Sequence, residues 1–127
     1  MATQDDIDQL LEGYADKARE QIQNVRKSVF RGMPIAQERV DLGQKALIYG
    51  LDSLGSSLCI VSLGSDGIVI TFPSGALLDD PQGILSRTVG FEGLASQAMT
   101  ISLTWEDEPL SDGFERLISQ AFVMNAG

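Results

Sequence analysis

Histidine is absent from this 127-residue chain, and cysteine occurs once. Without an imidazole, Ser-His-Asp and Cys-His catalysis are excluded, as are the usual zinc and copper sites. A lone cysteine, Cys59, leaves no internal disulfide to form. Cations are scarce as well: 9 Lys plus Arg stand against 18 Asp plus Glu, a formal net charge of −9. An acidic chain with no basic run is a poor partner for nucleic acid or an anionic membrane surface. No apolar run approaches the roughly eighteen residues that a membrane helix needs. The N-terminus is polar and acidic, unlike a signal or transit peptide, so a cytoplasmic protein is expected.

What is there suits a folded domain. Hydrophobic residues make up 43% and charged residues 21%, a globular rather than a disordered balance. One domain over 1–127 is expected, long enough to fold without a metal or disulfide.

The first segment has a helical rhythm. Ile7, Leu10, Leu11, Tyr14, Ala15, Ala18, Ile22, Val25 and Val29 recur at steps of three and four and share one face. Thr3 can cap this helix, and Asp5, Asp6 and Asp8 suit its positive end. Gly32 and Pro34 stop it. Gly13 inside the pattern costs about 1 kcal/mol relative to alanine, which predicts close packing or a bend there.

From Gln37 to Phe72 the runs are short, β-branched and bounded by Gly, Ser and Asp, so strands are predicted. They centre on Val40 to Leu42, Leu47 to Tyr49, Leu58 to Leu63 and Ile68 to Phe72. Gly64-Ser65-Asp66-Gly67 reads as a hairpin turn. Weak alternation in the last two runs places them in the middle of a sheet. Ala76 to Leu85 reads as a short or irregular helix, Arg87 to Ser96 as a loop, and Ala98 to Trp105 as a last strand. Phe114, Leu117, Ile118, Ala121 and Phe122 fall at helical spacing, with Asp107 or Ser111 as the cap. The expected order is α-β-β-β-β-α-β-α: a two-layer α+β fold with an antiparallel sheet of about five strands covered by helices.

Phe72-Pro73-Ser74-Gly75-Ala76-Leu77-Leu78-Asp79-Asp80-Pro81-Gln82-Gly83-Ile84-Leu85 resembles the signature of the YdhG-like domain family. Pro34 and Glu38 match that family's Pro-then-Glu spacing after its first helix. The resemblance implies a fold like that of type III secretion chaperones, with helices over one face of an antiparallel sheet. It attaches no enzymatic activity, although some family members carry the label of frataxin-like iron chaperone. Two departures stand out. The family often has a His in the strand that here runs from Gly67 to Ile70, and a basic stretch before the last strand. This chain has no His, and Gly90 to Ala98 holds no Lys or Arg.

Two sets of site residues follow. Pro73, Ser74, Gly75, Asp79 and Asp80 form a ligand or partner loop within the family signature. Asp5, Asp8, Glu12, Asp16 and Glu20 form an acidic stripe along the first helix, with Arg19 and Arg26 nearby. Carboxylates are hard oxygen ligands, so this stripe is the alternative metal site, for iron by analogy with frataxins. Three of its steps place like charges four residues apart, a small destabilisation each. Glu106, Asp107 and Glu108, with Asp112, are expected to cap and charge the last helix. Cys59 is expected to be a buried, inert thiol. Val123 and Met124 extend past the apolar face of the last helix, as core or as a contact between two copies in a homodimer. The leading expectation is therefore a non-catalytic binding or interaction domain without a cofactor, with a protein or small-molecule partner. The alternative is an iron-binding chaperone.

Overall fold

A computed structural model describes residues 3–50, 57–73, 86–87, 99–107 and 112–126. The expected helix over 76–85 lies outside these residues, as does the expected loop over 87–96 except for Arg87, which belongs to a strand.

The first helical pattern is two helices: α1, Gln4–Leu10, and α2, Asp16–Gly32. Thr3 caps α1 as expected. Its hydroxyl accepts from the Asp6 N–H at 3.2 Å, and the Asp6 carboxylate accepts from the Thr3 N–H at 3.0 Å. The break falls at Gly13, whose φ of +86° lies in the left-handed region that glycine enters freely. An added Cβ would meet nothing within 4 Å, so the residue marks a bend and not a close approach. Arg19 reaches back from α2 and donates to the carbonyls of Leu11 and Tyr14, at 2.9 and 3.2 Å. It thereby satisfies acceptors freed by the break. Ala15, expected on the apolar face, is the exposed N-cap of α2.

Four strands follow: β1, Gln37–Asp41; β2, Ala46–Gly50; β3, Ser57–Leu63; and β4, Gly67–Phe72. Leu42, expected at the end of the first strand, instead lies in the β1–β2 turn and is exposed. The Gly64–Gly67 turn closes as expected, with the Gly64 N–H donating to the Gly67 carbonyl at 2.8 Å. Ser86–Arg87 form a two-residue strand, β5, which the sequence reading did not anticipate. It pairs with β6, Met99–Thr104. The last helix is α3, Asp112–Ala126.

The sheet is antiparallel and open, in the order β1-β2-β3-β4-β6-β5, so β3 and β4 lie centrally, as expected. Register places Tyr49, Cys59, Val61, Leu63, Ile68, Ile70, Phe72 and Ile101 on one face. All eight are buried. Ile22, Val25 and Val29 of α2 and Phe114, Leu117 and Ile118 of α3 belong to the same core. Phe72 meets Phe114 edge to face at 6.1 Å. Helices thus cover one face of an antiparallel sheet, the two-layer α+β arrangement expected. Where α2 and α3 meet, the contact is close: a Cβ on Gly32 would stand 2.8 Å from the Glu115 carbonyl oxygen and 2.9 Å from the Ile118 side chain. Among the described residues no helix is long and apolar enough to cross a membrane.

Candidate functional site

The acidic stripe does not survive as one row. Asp5 and Asp8 sit on α1, Glu12 in the connecting turn, and Asp16 and Glu20 on α2. All five are exposed. Because the helix breaks between them, the step from Glu12 to Asp16 is not a helical i,i+4 pair. The two arginines expected to offset the stripe point elsewhere: Arg19 caps the α1–α2 turn, and Arg26 bonds inward to Glu38. Among the described residues no group of three Asp, Glu or Cys side chains is placed to hold a metal ion. Of the expected loop site, Pro73 directly follows β4 and is half-buried. Ser74, Gly75, Asp79 and Asp80 lie outside the described residues.

Among the described residues Glu38 is the most deeply placed charge. Its side chain is fully buried, and its two carboxylate oxygens accept from Arg26 in a fork, both at 2.9 Å. The Tyr49 hydroxyl donates to the same carboxylate at 2.7 Å. Burial, then the adjacent Glu38 charge, pushes the Tyr49 hydroxyl well above its usual range. The Glu38 bond raises Arg26 in turn. The carboxylate and the hydroxyl bond within the triad, and Arg26 also donates to the Gln23 amide oxygen at 3.0 Å, the condition under which a buried charge is tolerated. The triad joins α2 to β1 and β2 and is structural. Cys59 is buried too, and desolvation drives its thiol far up, which makes it a poor nucleophile.

A second polar region is arranged differently. A cleft of about 190 Å³ lies between α2 and the turn after β6. Lys17, Glu20, Gln21 and Asn24 line it from α2, and Trp105, Glu106 and Asp107 from the turn. The turn is well fixed. The Trp105 indole N–H donates to the Ser65 carbonyl at 3.2 Å, and its backbone N–H donates to the Asp66 carbonyl at 3.1 Å. Its ring meets Tyr14 edge to face at 5.8 Å. Asp107 accepts from the Thr104 N–H at 2.7 Å. It closes the end of β6 and does not cap α3, as the sequence reading had it. Ser111, the other expected cap, lies outside the described residues. Glu106 pairs with Lys17 at 2.6 Å across the cleft, with both side chains largely exposed. This bond, followed by the Glu106 charge, raises the Lys17 ammonium.

Gln21 is the residue that sequence reasoning missed. It is 5% exposed, and neither atom of its amide has a hydrogen-bond partner. The signal was there: it stands three residues after Ala18 and four before Val25, a carboxamide set into the apolar face of α2.

The solved structure of YdhG from Bacillus subtilis, a DUF1801 family protein, superposes with a TM-score of 0.68 at 15% identity. The match covers 98% of this chain and 94% of that one. The chain has the YdhG fold. This agrees with the family signature read over Phe72 to Leu85, and at that identity it is a statement about architecture. No family profile and no curated protein sequence matches the chain.

Proposed function

We propose that this chain is a non-catalytic binding domain that takes its ligand in the cleft between α2 and the end of β6. The observation that carries the reading is the Gln21 amide. A buried donor and acceptor left unpaired cost stability, and native proteins keep such groups mainly where something else meets them. Around it stand groups that bind: an indole, a second amide and charged side chains, all held by a rigid helix and a braced turn. The buried thiol and phenol, whose protonation the fold alters most, are in the interior and away from the cleft.

The test is shift mapping by ¹H–¹⁵N NMR of the intact protein against a chemically diverse set of small molecules, with ferrous iron under anaerobic conditions as a separate arm. Binding at the cleft predicts saturable shifts at Gln21, Asn24 and Trp105. Shifts confined to Asp5, Asp8 and Glu12 on adding iron would replace this reading with the iron-chaperone one. A cleft silent to every compound would overturn it.

A further inference from the structure

We propose that the α2–β6 cleft recognises a small ligand joining a cationic amine to a primary amide, the chemistry of an amino-acid amide. The inference rests on the binding reading above and adds the class of ligand.

Three features of the cleft select that class. The first is the form of the unpaired group. A carboxamide presents an acceptor oxygen and a donor N–H₂ side by side. A lone ammonium or a metal ion can meet only the oxygen, and an inorganic anion only the nitrogen. A primary amide, whose N–H and C=O lie side by side, meets both at once, donor to acceptor and acceptor to donor; a trans peptide amide, whose N–H and C=O point in opposite directions, does not. Both atoms of Gln21 lack partners, so a ligand that satisfies both gains most.

The second is charge. Glu20, Glu106 and Asp107 face one ammonium, that of Lys17. Lys17 is taken by Glu106, and one oxygen of Asp107 is taken by the Thr104 N–H. The surplus is negative, which selects a cation. The carboxylates are not grouped for a metal ion, so a cation with directional N–H donors fits them better. The Lys17–Glu106 bridge spans the two walls and is exposed. Such pairs hold little free energy, so a second ammonium can compete for Glu106.

The third is size. A volume of about 190 Å³ corresponds to roughly six waters at liquid density. That admits one amino-acid residue with its amide, its aliphatic part lying against Trp105.

Trp105 is the chain's single tryptophan, so its fluorescence reports on the cleft without labelling. The intact protein is titrated with L-alaninamide, with N-acetyl-L-alaninamide (amide without cation) and with ethylamine (cation without amide). The expected result is a saturable change with L-alaninamide, and binding weaker by roughly tenfold or more when either half is missing. Gln21→Met should abolish the advantage of L-alaninamide over ethylamine and leave the protein folded by circular dichroism. Glu20→Gln should weaken both amines and leave the acetylated compound unchanged. Ala-Ala-Ala-amide, whose first amide is a trans peptide unit, should bind more weakly than L-alaninamide, and tighter binding would overturn the proposal. Equal response to the acetylated and free compounds, or an undiminished response in Gln21→Met, would overturn the proposal. If all these ligands fail while NMR finds some other compound in the cleft, the ligand class is wrong and the binding reading stands. If the cleft is silent in both experiments, both fall.

Discussion

Gln21→Met should make this protein more stable. Methionine matches glutamine in length and carries no group that requires a hydrogen bond. The substitution removes two amide atoms that are buried without partners and loses no bond that the structure contains. An unsatisfied buried polar group costs about 1–3 kcal/mol. Local relaxation around the side chain lowers that cost, and a net gain of about 1–2 kcal/mol is expected. For a chain of this length that corresponds to a rise in Tm of roughly 3–8 °C. Urea denaturation read by circular dichroism should show a higher midpoint with an unchanged slope. The same replacement at Glu38 provides the contrast. There it strips Arg26 and Tyr49 of their shared acceptor, and a loss of about 3 kcal/mol is expected. A residue kept for binding and a residue kept for folding thus respond with opposite sign. A loss above about 1 kcal/mol in Gln21→Met would show that the amide is paired in the native protein, and the reasoning from its isolation would fail.

Two further predictions concern the backbone and pH. Gly13→Ala should destabilise by about 1 kcal/mol, because the left-handed conformation at this position penalises a Cβ. A continuous first helix would give the opposite sign in the same thermal melt, since alanine is the better helix former. Stability should also fall at alkaline pH. The folded pKa values of Tyr49 and Cys59 are both raised, so the folded state holds protons that the unfolded chain gives up. Their contributions are complete below the unfolded values, about 8.5 for cysteine and about 10 for tyrosine, and are lost as pH rises above them. Urea midpoints between pH 8 and 11 should decline, more steeply above 10. Tyr49→Phe should remove that steeper part, and an unchanged steep limb in this variant would refute the assignment.

Much of the architecture was legible because it rests on local rules. The helical face of Ile22, Val25 and Val29, the Thr3 cap and the Asp-Gly turn at Asp66-Gly67 each state their structure within a few residues. The break at Gly13 was harder to read, because the apolar spacing runs through it without a change of phase. The left-handed φ of Gly13 and the guanidinium of Arg19, folded back onto the turn, make the bend explicit. The brief pairing of β5 escaped because two residues carry no period. At the level of the site, a row of carboxylates drew the eye because charge is conspicuous in a sequence. Gln21 did not, because what matters is that it lacks a partner, and the partner set of a buried group is decided by distant segments, here α2 and the turn after β6.

The Glu38 triad has a consequence for how the sheet ends. β1 is an edge strand of five residues, and such strands can slip by one residue or pair with a strand of another molecule. A slip by one would turn Glu38 toward the open face and bring Arg39 inward, beside Arg26. The fork to Arg26 and the bond from Tyr49 would both be lost, and two guanidinium groups would crowd together without the carboxylate between them. The bonds that hold this carboxylate in place therefore act as a pin through the first hairpin. They fix its alignment at the point where the sheet is least constrained by neighbours, and they keep an inward-facing charge on a strand whose outer backbone groups would otherwise invite another chain.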